Sequence, residues 1–262
     1  MVEITDIDDS RIANYKSLRY TPPSHINEKL FITEGEKITC QLLKSELEIV
    51  SIFALQDFYQ NNNELIKKKL ISDKKQFHAD KSIMNKIVGY NLHSGVMAIG
   101  KQPEQTALSK LNSPIVALNG IINSENVGSI IRNCAAFGVD SIIVDKQTSS
   151  PFLRRAVRVS MGAVLNTKIH FSENLSEDLL KLKESSYKII SAEINDKSIP
   201  LSQFEIPDKC VVIFGSEGKG INNEILDLSD FIVHIPITDK VNSINVASSS
   251  AVILSKIFEQ NM

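Results

Sequence analysis

Apolar runs of strand length, separated by helix-patterned stretches, mark the chain as α/β, with a mostly parallel sheet in its second half and a smaller α/β unit ahead of it. Three features support this. The runs in "SPIVALNG", "DSIIVD", "TKIHF", "KIISAEI", "CVVIFG" and "FIVHIP" are apolar without alternation, as strands buried on both faces of a parallel sheet are. Segments near residues 126–138, 152–163, 176–186, 222–229 and 245–260 carry helical patterning between or after them. The polar, weakly patterned "KQPEQTALSKLNS", residues 101–113, reads as a linker between the halves.

In the first half, residues 8–19 suggest a helix. "LFITEGEKITCQLLKSELEIVSIFALQDF" then reads strand, helix, strand, and the spacing of Ile38, Leu42 and Leu43 gives the helix one buried face. "DKSIMNKIVGYNLHSGVMAIGKQ" adds a helix and a strand at about 95–100. In the second half, "NVGSIIRNCAAFG" places Val127, Ile130, Ile131, Cys134 and Ala135 on one stripe and ends at Gly138, a residue suited to the left-handed stop. "FLRRAVRVSMGA" is a further helix. The last helix buries Val246, Ser250, Ile253, Leu254 and Ile257, and its small residues Ala247 to Ser250 admit a close backbone neighbour.

Composition narrows the function. The 262 residues are 42% apolar and 23% charged, ordinary for a soluble domain with a real core. A net charge of −2 and a pI near 6.2 disfavour a protein that coats nucleic acid, yet leave room for local cationic patches. Lys67 to Lys69 with Lys74 and Lys75 form one; Arg154, Arg155 and Arg158 form another, whose guanidiniums suit phosphate contacts. Cys40, Cys134 and Cys210 are far apart and read as buried thiols of a reducing, cytoplasmic compartment. Five scattered histidines offer no zinc spacing, no apolar run reaches membrane-span length, and the acidic opening "MVEITDIDDSR" does not resemble a secretory signal.

Three loops that follow strands have unusual composition, and in parallel α/β sheets such loops hold ligands. In "NGIINSENVGSIIRN", Arg132 lies roughly 140° round the helix from Val127. Read alone, Ser124 and Asn126 fit helix capping and Arg132 a solvated position. "VVIFGSEGKGI" places Gly215, Gly218 and Gly220 around Ser216, Glu217 and Lys219. Such a loop needs tight backbone or close ligand approach, but it matches neither the dinucleotide nor the triphosphate cradle. "FIVHIPITDKVNSINVASSS" ends a strand at Ile235 and Pro236 and leads through Ser243, Ile244 and Asn245 into the final helix.

Together, "NSENVGSIIRNCAAFGV", "IFGSEGKGI" and "IPITDKVNSINVASSSAVIL" resemble the three signature motifs of the SpoU–TrmH RNA ribose 2′-O-methyltransferases of the SPOUT superfamily. The motifs occur in the expected order over the second half. "FITEGEKI" and "LHSGVMAIG" are more loosely similar to the family's ribosomal-protein-like RNA-binding domain. The resemblance implies an RNA substrate-binding domain over 1–102, a linker over 103–112 and a methyltransferase domain over 113–262 with a carboxyl-terminal trefoil knot. It further implies S-adenosyl-L-methionine as cofactor, held by Gly215, Ser216, Glu217, Gly218, Ile235, Ile237, Ser243, Ile244 and Asn245. A catalytic set of Asn126, Arg132, Glu217, Ser243 and Asn245 is implied as well, with rRNA or tRNA as substrate, RNA contacts at Arg154, Arg155 and Arg158, no metal, and a homodimer through the knot. Ile244 stands where leucine is usual, a change of cavity shape only. The alternative is a catalytically inactive RNA-binding or assembly protein on the same fold, which would not need all five of those residues.

Overall fold

In the computed structural model, which describes residues 1–16, 18, 21–89, 95–260 and 262, the chain divides into two units that are not contiguous in sequence. The first comprises Met1–Pro103 and Phe152–Leu165; the second comprises Glu104–Pro151 and Asn166–Met262.

The first unit is built on a sheet of β1 (Val2–Glu3), β2 (Leu30–Glu34), β3 (Ile49–Ala54), β4 (Gln76–His78) and β5 (Val96–Lys101), in the order β1-β4-β3-β5-β2. β5 runs antiparallel to both β2 and β3. Ile38, Leu42 and Leu43 are buried on the helix Glu36–Lys44, as their spacing requires. The helix expected over 8–19 is a 3-10 helix, Ser10–Tyr15, in which Ile12 and Tyr15, three residues apart, both enter the core. Ser17 and Arg19 of that stretch, and Leu92, His93 and Ser94 of "LHSGVMAIG", lie outside the described residues. β1 and β4 are too short to leave a period in the sequence, which predicts neither.

The stretch expected to form a helix of the second half instead joins this first unit. The helix is short, Arg154–Val159. Phe152 packs on Phe31 with ring centroids 5.8 Å apart, Arg154 donates from Nη1 to Glu34 Oε2 at 2.6 Å, and Ala156 and Val157 are buried. Helical periodicity shows that a segment has an apolar face, but not which surface that face meets.

The second unit holds β6 (Ile115–Asn119), β7 (Ser141–Asp145), β8 (Lys168–Ser172), β9 (Lys188–Ala192), β10 (Ile199–Pro200), β11 (Cys210–Gly215) and β12 (Phe231–His234), all parallel, in the order β10-β12-β9-β11-β6-β7-β8. The chain steps outward from β6 to β8, crosses to β9, and later inserts β11 between β9 and β6. Register sets Gly215 beside Asn119 at the carboxyl ends of β11 and β6. Helices Ser124–Ala136, Leu175–Glu184, Asn223–Leu228 and Val246–Gln260 accompany the sheet. Leu175, Leu179 and Leu182 meet Ile189, Val211 and Ile213 in a continuous apolar cluster. The expected stripe of the final helix is buried throughout. On Ser124–Ala136 the stripe holds at Val127, Ile130, Ile131 and Cys134, whereas Ala135 is exposed and Asn126 and Gly128 are buried instead. At the amino-terminal end of this helix burial thus widens to both sides of the stripe, and the side that carries Asn126 and Asn133 bonds to Asn245 and the final helix, which a period alone does not reveal.

Candidate functional site

Beyond the carboxyl ends of β9, β11 and β12, the place where parallel sheets accept ligands, lies an open cleft of about 580 Å³. Its walls include Gly215 at the end of β11, Ser216, Glu217 and Gly218 after it, Ile235 and Ile237 after β12, and Ser243 and Ile244 before the last helix. The glycines of the loop have distinct reasons. A Cβ on Gly215 would lie 2.4 Å from the carbonyl carbon of Gly220, so the strand end and the returning loop could not approach as they do. Gly220 adopts a left-handed φ of 67°. Gly218 has open space around it, and a Cβ added there would meet no heavy atom within 4 Å. Ser216 and Gly220 exchange main-chain hydrogen bonds of 3.2 and 2.9 Å, closing the turn that carries Glu217.

Asn245 links the other two segments to this turn. Its amide nitrogen donates to Glu217 Oε1 and, at 3.2 Å, to Asn126 Oδ1. Its own Oδ1 accepts from Ala247 N at 2.9 Å, satisfying a free N–H at the start of the final helix. Helix capping and site formation are thus one arrangement. Asn133, two helical turns beyond Asn126, donates to the Ala247 carbonyl at 2.8 Å and to Ser250 Oγ at 2.9 Å. These bonds need the close helix approach that small residues at 247 and 250 allow. Ser249 lines the cleft and Ser248 is exposed, so the serine run divides its duties.

Of the residues expected at a site, Gly215, Ser216, Glu217, Gly218, Ile235, Ile237, Ser243 and Ile244 meet in the cleft wall. Asn245 and the buried Asn126 join it through hydrogen bonds. Arg132 is not brought there within one chain: it is exposed and makes no hydrogen bond or ion pair among the described residues. Arg155 and Arg158 are exposed on the first unit, but Arg154 is half-buried against Glu34. The structure adds lining residues that the motifs do not contain: Ala192 to Asn195, Leu226 and His234. Ala192 ends β9 and Glu193 to Asn195 follow it, and only the strand order places that loop beside the glycine turn. Asp145 is a further organiser, accepting from Asn119 Nδ2 at 2.8 Å and from Gly120 N, and so fixing the loop that enters Ser124–Ala136.

A profile of the SpoU rRNA Methylase family matches residues 113–255, more than half of the chain and all three motif segments. The chain belongs to the SpoU rRNA methylase family. Among its relatives, an uncharacterized tRNA/rRNA methyltransferase of Mycobacterium bovis is 26% identical over 258 residues, covering 95% of this chain and 88% of that one. One from Mycobacterium tuberculosis H37Rv is 27% identical over 258 residues, with the same coverage of 95% and 88%. In fold, the chain is similar to an AdoMet-bound rRNA methyltransferase from Sinorhizobium meliloti, at TM-score 0.86 and 19% identity over 100% of this chain and 98% of that one. It is also similar to the SpoU methyltransferase AviRb from Streptomyces viridochromogenes in complex with AdoMet, at TM-score 0.81 and 17% identity over 97% and 99% of the two chains.

The thiols of this SpoU-family chain are poor nucleophiles. Burial pushes Cys210 up to about 12 and raises Cys134 further. Cys40, expected to be buried, is half-buried, with its Sγ 3.2 Å from Asn62 Oδ1. Among the described residues no group of three or more His, Cys, Asp or Glu could hold a metal ion, and no helix is long and apolar enough to cross a membrane.

Proposed function

We propose that this protein transfers a methyl group from S-adenosyl-L-methionine to a ribose 2′-hydroxyl of a structured RNA, ribosomal RNA in preference to transfer RNA. The observation that carries this reading is the hydrogen-bonded chain Asn126–Asn245–Glu217, which joins three segments far apart in sequence at the edge of one cleft. The family's description and the rRNA methyltransferase from Sinorhizobium meliloti favour rRNA.

The cleft suits the cofactor. Its volume falls within the roughly 300–1,000 Å³ usual for small-molecule sites. Ile235, Ile237, Ile244 and Val246 offer an aliphatic wall for a purine, Ser216 and Ser243 offer polar groups, and the space at Gly218 is unfilled. Gly215 to Gly218, Ile235, Ile237 and Ser243 to Asn245 would hold it. When bound, S-adenosyl-L-methionine supplies an electrophilic methyl group. Arg132 holds the ribose or its neighbouring phosphate and stabilises negative charge growing on the 2′-oxygen. A guanidinium is a donor that keeps its protons, so the hydroxyl proton passes to water or a phosphate oxygen. Asn126, Glu217, Ser243 and Asn245 orient the reacting groups. Residues 1–102 with Arg155 and Arg158 hold the RNA.

In this reading the carboxyl-terminal part is knotted and two copies associate, so that Arg132 completes the partner's site. Exposed Val252 and Phe258 on the final helix, and the packing of Phe258 on Phe137 with centroids 6.2 Å apart, supply an apolar surface for such pairing. Calorimetric titration with S-adenosyl-L-methionine should release or absorb heat at a stoichiometry near one per chain. Mapping of 2′-O-methyl positions in RNA from cells with and without the protein should then lose one site. Absence of binding, or methylation confined to bases, refutes the proposal.

A further inference from the structure

The loop after β9 contains Glu193, which none of the three motifs includes. Its backbone N–H donates to the Val233 carbonyl at 3.0 Å, tying the end of β9 to β12. Its side chain turns the other way: Oε2 accepts from Ile221 N at 2.9 Å and Oε1 from Ile194 N at 3.2 Å. One residue therefore joins the ends of three strands around the cleft, because Ile221 closes the glycine turn that β11 feeds. No ion pair to Glu193 is formed among the described residues, so main-chain N–H groups alone satisfy this half-buried carboxylate. Hydrogen bonds of that kind, from amides to a charged acceptor, are about twice as strong as neutral ones.

Gly220 makes the contact possible. A Cβ there would lie 2.4 Å from Glu193 Oε2, so the carboxylate occupies the space that any side chain at 220 would need. Ile221 is buried and its N–H points at Glu193, while Gly220 N and Ser216 N close the same turn from within. The base of the turn is thus pinned from outside by Glu193 and its tip presents Glu217 to Asn245. Removing the carboxylate leaves the Ile221 N–H without its acceptor and frees the base of the turn.

We propose that Glu193 is a positioning residue that clamps the glycine turn, through Ile221 N, in the shape that binds the cofactor and presents Glu217. The cofactor part rests on the function proposed above; the clamp itself does not. The test uses the full chain with Glu193→Ala and Glu193→Gln, the second keeping an oxygen able to accept from Ile221 N. In the absence of any ligand, the Ile221 amide should exchange with deuterated solvent at least tenfold faster in Glu193→Ala than in the wild type, and within about twofold of it in Glu193→Gln. In titration with S-adenosyl-L-methionine, Glu193→Ala should bind about tenfold more weakly and Glu193→Gln within about twofold. KM for the cofactor should rise in step with Kd. Wild-type exchange and affinity in Glu193→Ala overturn the proposal, as does a Glu193→Gln protein as impaired as Glu193→Ala, which would make the charge and not the hydrogen bond decisive. A melting temperature lowered with affinity and exchange at Ile221 unchanged would mean a purely structural residue and overturns it too. If the wild type binds no S-adenosyl-L-methionine, the function reading fails, and the exchange rates still decide the clamp.

Discussion

Replacing Gly215 with alanine adds one methyl group where β11 ends and the glycine turn returns beside it. The new Cβ would lie 2.4 Å from the carbonyl carbon of Gly220 and 2.6 Å from both Gly220 O and Ile221 N. Carbon atoms in contact settle at about 3.5–4.0 Å, so relief requires a displacement of roughly 1 Å. The obstructing atoms are all main chain and cannot rotate aside. They belong to the turn closed by the Ser216–Gly220 pair, so moving them stretches those bonds. Overpacking of this kind costs about 1–3 kcal/mol, and weakening the turn's hydrogen bonds adds about 1 kcal/mol. A total of about 2–4 kcal/mol lowers the melting temperature of a unit this size by roughly 5–15 °C. Differential scanning calorimetry on the full chain reads this directly, with Gly218→Ala as the control. Gly218 has no neighbour within 4 Å of the added Cβ, so that variant should melt like the wild type yet bind S-adenosyl-L-methionine about tenfold more weakly. A Gly215→Ala protein that melts within about 2 °C of the wild type would refute the claim that the two backbone segments are in forced contact.

Four further outcomes are expected. Arg132→Ala removes an exposed side chain and should leave stability within about 0.5 kcal/mol and cofactor Kd unchanged, while single-turnover methyl transfer falls about 10²- to 10³-fold; wild-type transfer would remove Arg132 from the mechanism. Arg155→Ala with Arg158→Ala should reduce the slope of log K against log salt for RNA binding by about 1.5. Arg154→Ala should instead destabilise the first unit by about 1.5–3 kcal/mol, because it breaks the half-buried bond to Glu34; chemical denaturation separates the two effects. Burial would raise the Asp178 carboxyl, but hydrogen bonds from Ser172, Lys181 and His170 outweigh it and hold the group below its ordinary value. Its stabilising contribution is therefore full above the unfolded-state carboxylate value near 3.9 and is lost as pH falls through the lower folded value. Asp178→Asn should flatten the acid limb of a stability–pH curve below about pH 4; an unchanged limb would contradict this.

Strands β6, β7, β9 and β11 could be read from the chain because each is a short apolar run flanked by polar turns, and burial on both faces leaves no other composition open to them. The buried stripe from Val246 to Ile257 was likewise legible, since a helix against a core must repeat its apolar positions at fixed spacing. So were the polar residues Glu217, Ser243 and Asn245, whose presence at strand-to-helix junctions a core does not require. What local pattern cannot encode is which surfaces meet. Phe152 to Leu165 looks like any amphipathic segment, and its place in the first unit depends on Phe31 and Glu34 more than a hundred residues away. Glu193 is an ordinary loop carboxylate until β11 inserts beside β9 and brings the Ile221 amide to it. Periodicity reports whether a side chain faces water or interior, a property of a few neighbouring residues. Strand order, the rotation of one helix on another and the pairing of a carboxylate with a distant amide depend on the path of the whole chain, and that path exists only once the chain has folded.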